Sequence, residues 1–310
     1  MDEILQVHHI SRSYMDKNHP FRAVEDVSFS LHAGEMLGIV GLSGSGKSTV
    51  LRMAGALEEP EKGNIQRPWA RDKDFYRHIQ MVFQDPLEDF SPRMTIHEFL
   101  LEPLLNFHMA NREEAESRIR QMMKQTDIPE ELLTKLPHQV SGGQLQRIVI
   151  ARALLVHPEL ILFDEPTSAL DVVTQERILH LIRKEWETFH FAGLFVSHDL
   201  AVVQEITDRV LVMEQGHVVE RLLSKDLRKG LHPCTRRLIS AQLPEDGHSI
   251  PSAYEKGILY YDGNQVQLVE DDEKIRDILG KGAVEKEVAL GEEHRVRAYC
   301  RESDDDHSAD

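Results

Sequence analysis

The chain has 310 residues, of which 41% are hydrophobic, so it can form one large or two ordinary domains around a real core. Its net charge of −17 argues against duplex DNA as a partner, because basic side chains must neutralise the DNA phosphates. No segment approaches the ~18 consecutive apolar residues of a membrane span, and the N-terminus lacks the plan of a signal peptide, so we expect a cytoplasmic location.

The first predicted elements are strands near residues 3–10 and 24–31, which we expect to be antiparallel. The apolar run MLGIVG, residues 36–41, predicts a buried strand, and KSTVLRMAGAL after it predicts a helix that stops at Glu59 and Pro60. Between them lies GLSGSGKST, residues 41–49. A strand, a glycine-rich loop and a helix in this order indicate a phosphate-binding loop.

This loop fits the pattern G-x-x-x-x-G-K-[ST] at Gly41, Gly46, Lys47 and Ser48. Glycines let backbone N–H groups turn inward around phosphate oxygens, and the helix N-terminus favours negative charge. Lys47 is expected to reach the β- and γ-phosphates, and Ser48 to ligate Mg²⁺. The alternative is an ordinary Gly/Ser turn before a helix, but the flanking strand and helix favour the phosphate loop.

Further short apolar runs follow, with helical stretches between several of them; they are residues 79–83, 160–164, 193–197 and 209–213. This alternation predicts a largely parallel sheet covered by helices. Between residues 84 and 141 the pattern is mostly helical, and Asn111 is a predicted cap with Glu114 three residues later. That stretch is predicted to be an inserted helical subdomain. The sequence EQG, residues 214–216, predicts a hairpin at the sheet edge.

Beyond Pro244 the composition changes. Residues 244–310 carry 18 acidic and 8 basic side chains, and the last residues predict a solvated acidic tail. Asp-Gly within residues 259–269 predicts a hairpin.

Polar residues stand at the predicted ends of three strands. Asp164 ends LILFD, where open α/β sheets bind ligands, and is expected to hold Mg²⁺ through water. Glu165 is expected to polarise the attacking water. His198 ends another strand as a candidate donor to the γ-phosphate, although a His at a strand end is often structural. Gln84 ends the strand IQMVFQ. Alone it indicates no function, and it becomes a candidate site residue only if it meets the other strand-end residues at one edge of the sheet.

A second glycine pair opens a helix in VSGGQLQR, residues 140–147, and makes another backbone anion nest. One chain thus has two phosphate-binding elements but a single lysine loop. In a C₂ dimer, each second nest can close on the nucleotide held by the other chain.

Together these motifs resemble the ABC-type ATPases: Walker A at 41–49, the Q-loop at Gln84, the signature at 141–144, Walker B ending at 164–165, the D-loop with Asp171, and the switch His198. The resemblance implies an α/β P-loop NTPase fold with a mostly parallel core sheet, an antiparallel N-terminal β subdomain and an inserted helical subdomain at about 85–145. It also implies an ATPase domain at 1–243, a C-terminal appendage at 244–300 and an acidic tail at 301–310. Tyr14 stands where the family places an aromatic residue that stacks on adenine.

A narrower resemblance is to the ATP-binding subunits of oligopeptide, dipeptide and nickel importers. It rests on residues 83–104, 136–155, 165–175 and 196–203, and above all on LHPCTRRLI at 231–239. Two residues differ from that subfamily: Leu42 stands where an acidic residue is common, and Leu145 where a polar residue is usual. All the catalytic positions are nevertheless present. Some relatives hold an iron–sulfur centre after the His-Pro segment, but Cys234 and Cys300 cannot make a Cys₄ site, so we predict no cluster.

The motifs and the resemblance together define the expected site. Catalytic roles are expected for Lys47, Gln84, Glu165 and His198, and Mg²⁺ ligation for Ser48, Gln84 and Asp164. The residues expected to contact ATP are Tyr14, Gly41, Ser43, Gly44, Ser45, Gly46, Lys47, Ser48, Thr49, Ser141, Gly142, Gly143, Gln144 and Asp171.

The predicted function is ATP hydrolysis that powers import of a peptide, nickel or a similar small solute. The expected partners are a second ABC chain, identical or related, transmembrane permease subunits and, indirectly, a solute-binding protein, so the chain would lie on the inner face of the cell membrane. An alternative is a non-transport ABC subunit of a multiprotein complex such as the phosphonate-cleaving (C-P lyase) system. DNA-repair and chromosome-maintenance types are disfavoured because the short stretch between Gln84 and Ser141 has no sustained heptads.

Overall fold

The computed structural model describes residues 2–16, 19–242, 257–263, 265–269, 272–280, 283–291 and 293–300. It divides into two compact units. The first comprises residues 1–10, 28–36 and 48–197, and the second comprises residues 11–27, 37–47 and 198–310. The division falls inside the glycine-rich loop, between Lys47 and Ser48, and again between Ser197 and His198.

The elements follow the alternation that the sequence predicts. The strands are β1 Glu3–Asp16, β2 His19–His32, β3 Met36–Gly41, β4 Lys62–Gln66, β5 Ile79–Val82, β6 Leu160–Asp164, β7 Ala192–Val196, β8 Arg209–Glu214, β9 His217–Leu223, β10 Ile258–Tyr261, β11 Val266–Val269, β12 Val284–Ala289 and β13 Arg295–Cys300. The helices are α1 Lys47–Ala54, α2 Phe75–His78, α3 Ile96–Asn106, α4 Arg112–Gln125, α5 Gly142–Leu155, α6 Val172–Phe189, α7 Leu200–Ile206, α8 Pro233–Gln242 and α9 Asp272–Gly280.

In the first unit, β5, β6 and β7 form the predicted parallel sheet. β6 is central: Leu162 pairs with Met81 on one side and with Leu194 on the other. Every residue of β6 and β7 is buried, which explains why these strands read as continuous apolar runs instead of alternating. Because the strands are parallel, their carboxyl ends meet at one edge, and Asp164 ends β6 there.

The helical stretch after β5 also agrees with the sequence prediction. Asn111 caps α4 by accepting from the Glu114 N–H, and the Glu114 side chain accepts from the Asn111 N–H. The buried face of α4 carries Ala115, Ile119, Met122 and Met123. Its methionines therefore belong to the core. α3 has a similar capping box, formed by Thr95 and Glu98, and packs against α4 and α5.

The N-terminal strands form a three-stranded sheet in the order β2-β1-β4. The Ser28 hydroxyl accepts from the His9 N–H, and the Ser11 hydroxyl accepts from the Asp26 N–H. Residue numbers that rise on one strand and fall on the other show that β1 and β2 are antiparallel, as predicted.

In the second unit, β3 pairs in parallel with β8, and β8 turns back antiparallel into β9. The turn between β8 and β9 has positive φ at Gln215 and Gly216, which confirms the hairpin predicted from the sequence EQG. β10 and β11 form the predicted C-terminal hairpin. β13 extends the sheet by pairing Arg295 with Arg221 of β9, and its Val296 and Ala298 pack with Leu259 in a small core.

The predicted boundary at 243/244 and the acidic tail at 301–310 lie outside the described residues, so the domain limits remain a prediction. Within the described ranges, no helix combines the length and apolar character needed to cross a bilayer.

A buried carboxylate of β9 holds both residues 231–235 and His294 of the C-terminal appendage. Glu220 is 1% exposed. Its oxygens accept from the backbone N–H groups of Leu231 (2.8 Å) and His232 (3.2 Å) and from the Thr235 hydroxyl, and one lies 2.7 Å from His294 Nε2. Burial alone would raise the pKa of Glu220, but these hydrogen bonds to the charged form outweigh it and hold the pKa below its usual value.

Replacing this carboxylate should loosen the segment that it holds. In Glu220→Ala, two half-buried N–H donors and the buried Thr235 hydroxyl lose their acceptor, so we expect a loss of about 3 kcal/mol in the free energy of unfolding. Hydrogen exchange at residues 231–235, followed by mass spectrometry, should rise strongly. The matched control is Glu287→Ala, whose carboxylate forms a partly exposed ion pair with Arg221, and which should cost under ~1 kcal/mol.

The same experiment has a pH arm. Because its folded-state pKa is lowered, Glu220 contributes stability above its ordinary pKa of 4.5, and the contribution disappears as pH falls through the lowered value. Wild type and Glu220→Ala should therefore converge in stability below pH 4.5. Equal exchange at residues 231–235 in both proteins at neutral pH would contradict the assignment.

Candidate functional site

The phosphate loop is held against its neighbours at distances that leave no room for a side chain. A Cβ on Gly41 would lie 2.3 Å from the carbonyl oxygen of Met213, and a Cβ on Gly46 would lie 2.2 Å from that of Ala23. Gly46 also has φ +103°, which side chains disfavour. The two glycines of the pattern are therefore required by close backbone approach.

Lys47 is the first residue of α1 and is 5% exposed. Its ammonium donates to the carbonyl oxygens of Gly41 (2.9 Å) and Leu42 (3.0 Å), which lie at the start of the loop. The side chain is thus folded back along the loop.

Ser45 supplies a further sign of a ligand. Its carbonyl oxygen accepts from the Gly216 N–H at 3.1 Å, which fixes the loop backbone. Its hydroxyl oxygen is buried and has no hydrogen-bond partner among the described residues. A buried polar atom without a partner costs about 1–3 kcal/mol. An anion on the loop would remove that cost.

In the first unit, the start of α1 meets the end of β6. The Ser48 hydroxyl donates to Asp164 Oδ1 at 2.9 Å, and Asp164 is 6% exposed. A hydroxyl and a carboxylate in contact are oxygen ligands of the kind that Mg²⁺ takes in nucleotide sites. These two residues therefore fit the metal that the sequence predicts.

Glu165 follows Asp164 with its backbone in the left-handed region, at φ +47°. Its N–H donates to the Val196 carbonyl at 3.0 Å, and its own carbonyl accepts from the Ser168 hydroxyl at 3.1 Å. A side-chain-bearing residue in this conformation costs of order 1–3 kcal/mol, and such strain clusters at functional sites. The surrounding bonds hold Glu165 in place at that cost.

Gln84 belongs to the same group. Its Nε2 donates to the Ser168 hydroxyl at 3.2 Å, so Ser168 connects Gln84 with the backbone of Glu165. The sequence did not single out Ser168, although it opens the SALD segment. The sequence signal that could have identified Ser168 is its position in the chain, because its hydroxyl lies between the motif carboxylates Glu165 and Asp171.

Asp171 and the signature lie elsewhere in the first unit. Asp171 caps α6 by accepting from the Thr174 N–H (3.0 Å) and hydroxyl (2.7 Å). Both bonds lower the pKa of Asp171, and the bond from the hydroxyl has the larger effect.

Ser141 caps α5, where its N–H and hydroxyl both donate to Gln144 Oε1. Ser141 and Gly142 are exposed, so the N-terminus of α5 is open to an anion from another molecule.

Two expected residues lie in the second unit with Lys47. His198 is exposed, immediately before Asp199, which caps α7. The Arg12 guanidinium lies 5.4 Å from the ring centroid of Tyr14. The geometry thus groups Ser48, Gln84, Asp164 and Glu165 in one unit, and the loop with Lys47 in the other. Ser43 and Gly44 lie in the loop, Thr49 in α1 and Gly143 in α5, and their contacts with ATP stay a prediction.

Comparison with known proteins agrees with these motifs. A family model described as "ABC transporter" matches residues 24–168. The oligopeptide transport ATP-binding protein OppF of Haemophilus influenzae is 40% identical over 263 residues, covering 77% of each protein. OppF of Escherichia coli is 43% identical over 71% of this chain and 69% of its own length. The di/tripeptide transport ATP-binding protein DppF of Pseudomonas aeruginosa is 40% identical over 77% of each.

Solved structures resemble the fold as well. The dimeric ATP-binding cassette MJ0796, in a post-hydrolysis state bound to ADP and Pi, has a TM-score of 0.65 and 30% identity, covering 72% of this chain and 99% of that chain. CbiO1 of Clostridium perfringens, part of an ABC transporter complex, has a TM-score of 0.65 and 26% identity over 79% of this chain and 97% of its own. The predicted ABC-type fold is therefore confirmed, and the chain belongs to the ABC transporter ATP-binding family, among the subunits that include OppF and DppF.

Proposed function

We propose that this chain hydrolyses ATP to power the import of peptides through a membrane complex, on whose inner face it binds. The observation that carries the proposal is the hydrogen bond between Ser48 and Asp164, because it brings the helix of the phosphate loop to a strand-end carboxylate. The names of the relatives support peptides as the transported substrate, and other relatives at 39% identity are named as putative peptide import ATP-binding proteins, which supports the direction.

In the proposed mechanism, the backbone N–H groups of residues 42–47 and the Lys47 ammonium bind the β- and γ-phosphates. Mg²⁺ would be held by Ser48, Gln84 and, through water, Asp164, and it would neutralise charge on the β- and γ-phosphate oxygens. Ser168 links the Gln84 side chain to the backbone of Glu165 by two hydrogen bonds. A movement of Gln84 on loss of the γ-phosphate would therefore be transmitted to Glu165.

Glu165 is proposed to accept a proton from the attacking water. As the new oxygen–phosphorus bond forms, the bond between the γ-phosphorus and the bridging oxygen breaks, giving ADP and phosphate. His198 is proposed to donate a hydrogen bond to the γ-phosphate, which stabilises the charge that builds during transfer. The strained backbone of Glu165 supports a fixed position for its carboxylate.

A second ABC chain, identical or related, is proposed to complete each site. The exposed N-terminus of α5, at Ser141 and Gly142, would close on the nucleotide held by the other chain's loop. ATP favours this closed pair because its γ-phosphate contacts both chains, and hydrolysis removes that contact. Permease subunits in the membrane would use the opening and closing, and a solute-binding protein would deliver the peptide.

Glu165→Gln tests the proposed general base. Turnover should fall by on the order of 10²–10⁴-fold, because the amide cannot accept the proton from water. ATP binding, measured by calorimetry, should stay within about 3-fold of wild type. Glu176→Gln, an exposed carboxylate on α6, is the matched control and should be fully active. Full activity in Glu165→Gln would remove this residue from its proposed role.

Ser141→Arg tests the second nest. The isolated chain should bind ATP normally, because its own loop is intact, whereas hydrolysis should fall by at least about 10-fold, because the bulky cation blocks the α5 N-terminus. Ser91→Arg, at another exposed serine, is the control and should hydrolyse ATP normally. A Ser141→Arg protein with wild-type turnover would show that this nest takes no part in the reaction.

A further inference from the structure

A cavity of about 420 Å³ lies in the first unit, away from the phosphate loop. Its walls come from residues 84–87, residues 137–142, the first turns of α5 and residues 166–170. This volume is within the range of small-molecule sites. Leu87, on one wall, is 50% exposed, so a ligand can reach the cavity from solvent.

The side-chain amide of Gln146, in α5, lines this cavity and is 1% exposed. Its Nε2 is buried and makes no hydrogen bond to any residue that the structure describes. Such an orphan is unusual, because most buried polar groups in proteins are paired and an unpaired donor destabilises the fold. An acceptor on a molecule in the cavity would give Gln146 the partner that it lacks.

The other wall residues decide the chemical class of the ligand. Most are apolar, and three of them are prolines, which have no backbone N–H to donate: Pro86, Pro137 and Pro166. The walls contributed by the described chain include no lysine or arginine, so an anion would bury its charge there without a cation. Water also fits poorly, because it needs two to four polar partners. A neutral, mainly apolar molecule with one acceptor matches these walls.

We propose that this cavity binds a neutral, mainly apolar small molecule through a carbonyl oxygen, and that Gln146 Nε2 donates the hydrogen bond to that oxygen. The site is distinct from the nucleotide site, because no residue of the loop 41–49 lines it. Its occupant is therefore expected to bind at the same time as ATP.

Occupancy of the cavity should slow ATP hydrolysis, a consequence that rests on the proposed function. Gln84 lines the cavity and donates to the Ser168 hydroxyl at 3.2 Å, and the next two residues, Ala169 and Leu170, line it as well. A molecule packed between these walls restrains Gln84 in that contact. Gln84 is then less free to reach the metal, whereas the phosphate loop can still bind ATP.

The test titrates the full chain with two probes and follows its amide signals by NMR. Cyclohexyl methyl ketone and cyclohexanecarboxylate have the same ring and nearly the same shape, but only the ketone is neutral. The ketone should bind with a Kd of about 1–10 mM, a range open to so small a ligand, and should shift the side-chain amide signal of Gln146. The carboxylate should show no saturable binding, because its charge would be buried without a partner.

Gln146→Leu removes the donor and keeps an apolar side chain of similar size. The Kd of the ketone should rise by about 5-fold, on the scale of one hydrogen bond, and the thermal midpoint should not fall, because the amide has no partner to lose. Gln121→Leu, at an exposed position of α4, is the matched control and should bind the ketone as wild type does.

Hydrolysis gives a second readout. At saturating ATP the ketone should lower turnover without changing the Kd of ATP, and in Gln146→Leu the same inhibition should need about 5-fold more ketone. Equal ketone affinity in wild type and Gln146→Leu would overturn the proposal, and so would carboxylate binding as tight as ketone binding. A chain that binds the ketone through Gln146 but does not hydrolyse ATP would support this site and contradict the proposed function alone.

Discussion

The close approach of the loop backbone to two carbonyl oxygens is the constraint on which the rest of the site depends. A Cβ at Gly41 or Gly46 would lie 2.3 Å or 2.2 Å from the oxygens of Met213 and Ala23, far inside contact distance. The loop can rest against β8 and β2 only because both residues are glycines. That position directs Lys47 back onto the loop carbonyls and leaves the buried Ser45 hydroxyl available to an anion.

A second contact gives this loop its chemistry. Ser48 follows Lys47 directly and donates to Asp164, so the residue after the proposed phosphate-binding lysine reaches a carboxylate at the end of a buried strand. The strained Glu165 comes next in the chain, and Ser168 joins its backbone to Gln84. The proposed metal ligands and the proposed base are thus linked within the first unit by a few short bonds, each made by a residue of a sequence motif or its neighbour.

The sequence predicts the parts of the structure that depend on local pattern. Continuous apolar runs identify β6 and β7, since both faces of these strands are buried, and the Asn111 cap depends only on residues three apart. The sequence cannot predict Ser168 as a link, because Gln84 is 84 residues away, or the bonds of Glu220, because their partners come from other segments. Asp171 is a third case: its contact in the structure is a helix cap that any Asp could make, and its role toward ATP stays a prediction.

Gly46 is the loop residue whose replacement should affect the ligand site far more than the fold. The decisive measurement is the Kd of ATP for Gly46→Ala by calorimetry, together with its circular dichroism spectrum. We expect at least about a 10-fold loss of affinity in a protein that keeps its native spectrum, because the added methyl displaces the loop from the Ala23 carbonyl. A natively folded Gly46→Ala protein that binds ATP as tightly as wild type would contradict the claim.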